Sequence, residues 1–158
     1  MIMNKKTLTI LLQSGSNELA KTALAVPEDK LRWKPLDNGR DILDLLGEGA
    51  QTATFAADFT RSLGEMKMTP ELFQNWKPER AGWTREIALE KLQSATRDLL
   101  ASVEELSEED LAKDITMTMH EAITMPLAAW TMLAYRTFVS RMAQINYIQT
   151  LYGDFDFH

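Results

Sequence analysis

The sequence contains no cysteine, and its two histidines are His120 and His158. The absence of cysteine excludes a disulfide framework, a thiolate metal site and a catalytic thiol, and a reducing cytoplasm becomes the expected compartment. Closed transition-metal sites need three or four converging ligands. Two interpretations of the histidines therefore stay open: solvated side chains, or ligands of a replacement metal site completed by Glu121.

Basic runs and long apolar runs are also missing. The formal net charge is -6 and the pI is near 5.0, which argues against nucleic-acid binding because phosphate neutralisation needs clustered Lys and Arg. No stretch approaches the roughly 20 apolar residues of a membrane-spanning helix. The opening "TLTILLQSGS" has the spacing of an amphipathic helix, not of a signal peptide. We expect a soluble, cytoplasmic protein without nucleic-acid or membrane partners.

Familiar catalytic motifs are absent too. The sequence has no Gly-rich phosphate loop, no Gly-x-Ser-x-Gly elbow and no His-Glu-x-x-His helix. A chain of 158 residues has the length of one ordinary domain, and neither an internal repeat nor a low-complexity linker divides it. Residues 1–158 are therefore predicted to form a single domain.

Four long segments carry helical periodicity, at about residues 4–26, 40–63, 84–106 and 126–153. A short loop between the first two predicts that these helices are antiparallel neighbours. The linker at residues 64–83 contains Pro70 and Pro78, which exclude one continuous helix and leave room for a turn at "PELF". Residues 112–126 alternate without helical period and predict an extended connector. The pattern predicts an all-α four-helix bundle with a long linker between helices two and three.

The fourth helix carries a polar residue in an apolar stripe. Steps of three and four pass through Thr137, Arg141 and Gln144, and Phe138 and Ile145 flank the arginine. An unpaired arginine inside the bundle would be very costly. Its guanidinium must either reach the bundle end or meet a carboxylate inside.

The second helix offers carboxylates at matching positions. Asp44, Glu48 and Gln51 share one stripe, and Glu48 lies beside the apolar pair Leu45 and Leu46. Two interpretations stay open: the acids form a solvated helix face, or Glu48 pairs with Arg141.

Two segments resemble a known family. The C-terminal "RMAQINYIQTLYGD" and the earlier "LRWKPLDNGRDILDLLGEGA" are similar to the signatures of the DinB-like (YfiT-like) metal-binding bundle proteins. Gln144, the element from Trp33 to Pro35, and Gly153 carry the agreement. Together with the four-helix layout, the resemblance covers essentially the whole chain.

The resemblance implies an up-down-down-up bundle in which helices two and four supply three histidines to a divalent metal, commonly nickel or zinc. Characterised relatives include thiol-dependent S-transferases and a mycothiol-dependent isomerase. When Gln144 is aligned with the family glutamine, the histidine positions fall at Glu48, Thr137 and Arg141. None of these residues is histidine, and an arginine has no lone pair to donate to a metal.

These replacements lead to our expectation for the site. Arg141 would occupy the place of the metal as a fixed cation, with Glu48 as counter-ion and Thr137 as hydrogen-bond partner. The candidate cleft is completed by Asp44 and Gln144, and it would hold a small anionic or apolar ligand without a metal cofactor.

Other functions remain possible at this point. From the resemblance we expect a DinB-like, metal-free protein that binds a small molecule or serves a structural role. The alternative is a metal-dependent thiol S-transferase or hydrolase with a divergent metal site. In a third interpretation, Glu48 is a metal-free general base. By analogy with relatives we expect a homodimer, and Trp76 and Trp83 are predicted to be exposed contacts.

Overall fold

The computed structural model describes residues 4–67, 69–118 and 121–158. A 3₁₀ turn at Glu28–Lys30 follows the first helix. In chain order, the helices and strands are α1 (Lys5–Ala25), α2 (Ile42–Arg61), α3 (Pro70–Arg80), α4 (Arg85–Glu105), α5 (Glu108–Ala112), β1 (Asp114–Thr118), β2 (Ala122–Pro126), α6 (Leu127–Thr131) and α7 (Leu133–Leu151).

Polar caps fix where three of the long helices begin. Asn4, Asp41 and Thr84 precede α1, α2 and α4, and each side chain accepts a hydrogen bond from the backbone N–H three residues later. Such caps satisfy N–H groups that have no partner within the helix. The observed starts agree with the sequence-based segments to within about two residues.

Ion pairs and hydrogen bonds show how the helices run relative to one another. Lys5, at the start of α1, donates to the backbone oxygen of Glu104 at the end of α4 over 3.0 Å, so these helices are antiparallel. Arg61, at the end of α2, contacts Asp98 in the second half of α4 over 2.6 Å, so α2 and α4 are parallel.

Helix α7 runs parallel to α1, because Thr22 near the end of α1 donates to the backbone oxygen of His158, just beyond α7. The order is up-down-down-up, as predicted. Helices α1 and α2 are antiparallel as predicted, but the prediction that they are adjacent in the bundle is wrong. Both helices pack mainly on α4 and α7, so α1 and α2 lie diagonally across the bundle. They touch at its centre, where a Cβ on Gly49 would lie 2.6 Å from the Leu19 side chain.

The linker between α2 and α4 contains an 11-residue helix, which corrects the prediction of a turn at most. Thr69 caps α3, and Pro70 occupies its first turn, where the missing N–H removes no hydrogen bond. Pro78 lies inside the last turn, where it removes one N–H donor from the helix.

The predicted extended connector before the last helix is confirmed, and it forms an antiparallel hairpin. Strands β1 and β2 pair with Ile115 opposite Met125. The indole of Trp130 donates to the backbone oxygen of Ile115 over 2.9 Å and holds the hairpin against α6. The last helix is not continuous as predicted, because Met132 separates α6 from α7.

The core has two parts. The larger runs between α1, α2, α4 and α7, and the smaller, at the hairpin end, contains Phe55, Phe59, Met117, Leu127 and Trp130. The prediction that Trp76 and Trp83 are exposed is wrong. Trp83 is buried, and Trp76 is half-buried against Phe55.

Among the described residues, no helix is both long and apolar enough to cross a bilayer.

Candidate functional site

The antiparallel packing of α2 and α7 brings Glu48 and Arg141 together. Arg141 Nε donates to Oε2 of Glu48 over 2.9 Å, and Nη2 donates to Oε1 over 2.8 Å. This bidentate geometry is the strongest form of the arginine–carboxylate pair. Only 19% of the Arg141 side chain and 22% of the Glu48 side chain are exposed. The predicted pair is therefore confirmed, and the interpretation of Glu48 as part of a solvated face is wrong.

Two further arginines extend this pair into a network. Arg40 contacts Oε2 of Glu48 through Nη2, and its Nε donates to Asp44 Oδ2 over 2.5 Å. Arg80 Nε donates to the other oxygen of Asp44 over 2.7 Å. The arginine cluster therefore consists of Arg40, Arg80 and Arg141 around the carboxylates of Asp44 and Glu48.

The cluster holds its carboxylates in the ionised form. Burial raises the pKa of the Glu48 carboxyl, but the hydrogen bond from Arg141 and the charge of Arg40 outweigh it and lower that pKa below its ordinary value. For Asp44, hydrogen bonds from Arg40 and Arg80 similarly outweigh burial and lower its pKa. A carboxylate with a lowered pKa is a weak base. This environment opposes the interpretation of Glu48 as a general base.

The remaining contacts of Arg141 differ in part from the prediction. Its Nη1 donates to Ser140 Oγ and to Gln144 Oε1, each over 3.2 Å. Thr137, predicted as a partner, is not among its hydrogen-bond partners in the described part of the chain. Gln144 takes that place because it lies one turn beyond the arginine on the same side of α7.

The sequence interpretation missed Arg40 and Arg80. Arg40 stands four residues before Asp44, a spacing that could have indicated the pair. Arg80 belongs to the linker helix, and its guanidinium also donates to Gln51 Oε1 over 2.9 Å. Gly47 leaves room for it, since a Cβ there would lie 3.0 Å from Arg80 Cδ. The sequence signal that could have predicted α3 is Thr69 followed by Pro70. A threonine cap and a proline in the first turn are typical of the start of a helix.

The residues at the implied metal position do not fit a transition metal. Both oxygens of Glu48 face guanidinium groups, and Arg141 offers no lone pair. Within residues 4–67, 69–118 and 121–158, no three His, Cys, Asp or Glu side chains are grouped as metal ligands would be. His158 contacts Asp154 over 2.9 Å. The replacement site proposed with Glu121 depends on His120, which lies outside the described residues.

Two cavities adjoin the arginine cluster, and Arg40 lines both. The basic cavity, of about 200 Å³, is lined by Arg32, Lys34, Gly39, Arg40, Asp41, Asp44, Lys77, Arg80 and Ala81. The tyrosine cavity, of about 350 Å³, is lined by Pro35, Arg40, Leu45, Ala143, Gln144, Tyr147 and Ile148. Of the residues predicted to form the cleft, Asp44 lines the basic cavity and Gln144 lines the tyrosine cavity, whereas Glu48, Thr137 and Arg141 line neither of the two.

Solved structures share this architecture, although no protein-family model and no curated protein sequence matches the chain. A DinB-like protein, YjoA of Bacillus subtilis, superposes with a TM-score of 0.68 at 16% identity, covering 96% of this chain and 95% of that one. The sibling lethal factor precursor DfsB gives a TM-score of 0.71 at 16% identity, covering 98% and 99%.

A mycothiol-dependent maleylpyruvate isomerase is similar over part of its length. Its TM-score is 0.71 at 12% identity, covering 90% of this chain and 61% of the isomerase. The chain thus spans about three-fifths of that enzyme. The chain has the DinB-like fold, as the resemblance predicted.

Proposed function

We propose that this protein binds a small anionic molecule in the basic cavity beside the arginine cluster, with no transition metal between α2 and α7. The charge of the cavity lining carries the proposal: five Lys and Arg side chains face two carboxylates in a chain whose net charge is -6. Such a local excess of positive charge attracts anions.

The individual cations support this proposal. Among the described residues, Lys34 and Lys77 have no ion-pair partner, so their charges are not compensated inside the protein. Arg80 is held in place by Asp44 and Gln51, which presents a rigid guanidinium at the cavity wall. An arginine held by hydrogen bonds beside two exposed lysines suits a carboxylate or phosphate group.

A metal-dependent thiol S-transferase or hydrolase is the second candidate. The fold shared with a mycothiol-dependent isomerase favours it, whereas the ligand set at Glu48, Thr137 and Arg141 opposes it. Elemental analysis of the purified protein separates the two functions. We expect nickel and zinc well below one equivalent per chain, and a stoichiometric metal would overturn the metal-free part of the proposal.

Titration with inorganic phosphate tests the anion site directly, with backbone amide NMR shifts as the readout. We expect saturable shifts at Gly39, Arg40 and Ala81, which line the basic cavity. Lys77→Gln should weaken phosphate binding about fivefold, because it removes an uncompensated charge. The matched control is Lys6→Gln, an exposed lysine on α1. Equal weakening by both variants, or shifts that never saturate, would refute a specific site.

A further inference from the structure

A larger cavity, of about 540 Å³, lies between α2, α3 and α4. Residues 50–58 of α2 and residues 91–98 of α4 form its walls, and Trp76 and Glu79 of α3 lie along one side. Its volume falls in the range of pockets for small organic molecules. It does not include Arg40 or Arg141, so it is separate from the anion site proposed above.

The lining of this acidic-aromatic groove combines two chemical types. The apolar side chains are Phe55, Met66, Leu72, Trp76 and Trp83. Three carboxylates, of Asp58, Glu79 and Asp98, share the cavity with a single cation, Lys91. Aromatic faces and excess negative charge both favour positively charged organic groups over neutral or anionic ones.

The groove already holds one ammonium group on an indole. Lys91 Nζ lies 4.9 Å from the centre of the Trp83 ring, within the distance at which a cation is attracted to an aromatic face. The ammonium group of this lysine therefore occupies the face of Trp83 on which the cation of a ligand would lie.

The carboxylates differ in how they are compensated. Asp58 and Asp98 both contact Arg61, at 3.6 Å and 2.6 Å. Glu79 accepts a hydrogen bond from Gln51 Nε2 over 3.0 Å, and it has no ion-pair partner among the described residues. Glu79 is thus the groove carboxylate without an ion-pair partner in the described part of the chain, and it lies on the same helix as Trp76.

We propose that the acidic-aromatic groove binds a small organic cation, an amine or quaternary ammonium with an aromatic or alkyl body. Its positive group lies between the Glu79 carboxylate and the faces of Trp76 and Trp83, and its apolar body contacts Phe55 and Leu72. This site is independent of the anion site, because the two cavities have opposite charge and Asp44, Arg40 and Lys77 line only the basic one.

Tryptophan fluorescence titration with benzyltrimethylammonium tests the proposal, since two tryptophans line the groove. We expect saturable quenching, and binding of the uncharged isostere neopentylbenzene at least tenfold weaker. Equal affinity for the isostere would reduce the groove to an apolar pocket and overturn the proposal. So would quenching by benzyltrimethylammonium that does not saturate.

Two variants locate the bound charge. Glu79→Gln should weaken binding of benzyltrimethylammonium about tenfold while keeping the size of the side chain. The matched control is Glu71→Gln, an exposed acid on the same helix outside the groove, which should leave the affinity unchanged. If both variants bind alike, the role of Glu79 is refuted.

Lys91→Met removes the internal cation and should tighten binding severalfold, because the ligand no longer competes with an ammonium for Trp83. Weaker or unchanged affinity would overturn the placement on that ring. Phosphate-induced shifts at Gly39 and Ala81 should stay the same in Glu71→Gln and Lys91→Met, so that failure of this site and failure of the anion site give different results.

Discussion

The two ends of α2 pack against the rest of the bundle in opposite ways. Near its start, ionic contacts hold Asp44 and Glu48 between three arginines, beside buried leucines of the larger core. Near its end, Phe55 and Phe59 stack at 5.8 Å, and Phe59 meets Trp130 edge-on at 6.4 Å. Apolar burial stabilises regardless of pH, whereas buried ions offset their own desolvation only while every partner is present. The aromatic end therefore stabilises the fold independently of pH, whereas the start of the helix adds a network whose contribution depends on charge.

The largest loss of stability is expected at the aromatic end. Phe59 is 1% exposed, so Phe59→Ala removes a buried ring and leaves a cavity. We expect the free energy of unfolding to fall by about 3–5 kcal/mol, measured by urea unfolding. Phe157→Ala, at a side chain that is 80% exposed, is the control and should change little. A loss smaller than that caused by Glu48→Gln would contradict the contrast between the two ends of α2.

A smaller loss is expected at the ionic end. Glu48→Gln keeps the shape of the side chain but leaves Arg40 and Arg141 without their shared counter-ion. We expect a loss of about 2–3 kcal/mol, below that of a fully buried broken pair because these side chains are partly exposed. Glu18→Gln on the exposed face of α1 is the control. An unchanged melting temperature would show that the pair does not contribute to stability.

The smallest loss of folding stability is expected when the pH is lowered. Because the native pKa values of Asp44 and Glu48 are lowered, their contribution is fully present above the unfolded pKa of about 4. It is lost as the pH falls through the lowered native values. The urea midpoint should therefore fall less steeply from pH 6 to pH 3 in Glu48→Gln than in the parent chain.

The aromatic end supplies the control for this pH dependence. Phe59→Ala removes no titratable group, so its urea midpoint should fall with the same slope as that of the parent chain. If Glu48→Gln also runs parallel to the parent, the ionic end does not govern acid stability, and the contrast between the two ends of α2 fails.

The fold could be predicted because each long helix carries its own periodicity and three of them begin with a polar cap. The pair of Glu48 and Arg141 could be predicted for a related reason, since an arginine in an apolar stripe requires a carboxylate in a facing helix. What could not be predicted depends on contacts distant in sequence. Arg80 is buried because Gly47 and Asp44 of another helix receive it, and no local pattern contains that information.

The remaining errors have physical causes as well. Two prolines suggested an irregular linker, but Pro70 lies in the first turn of α3, where a helix tolerates proline best, and Pro78 lies close to its end. The alternating residues before Pro126 indicated an extended chain. The hairpin depends on the pairing of β1 with β2, which the alternation alone does not predict. Trp83 was expected at the surface, but its ring lies against Gly47 of α2, a contact distant in sequence that no local pattern indicates.

Arg40 lies in the wall shared by the basic cavity and the tyrosine cavity. A ligand in either cavity that draws the guanidinium towards itself withdraws it from the other. The two cavities are then thermodynamically linked, and occupation of one lowers the affinity of the other by the same factor in both directions. With a single side chain serving both openings, this end of the bundle would behave as a negatively cooperative pair of sites.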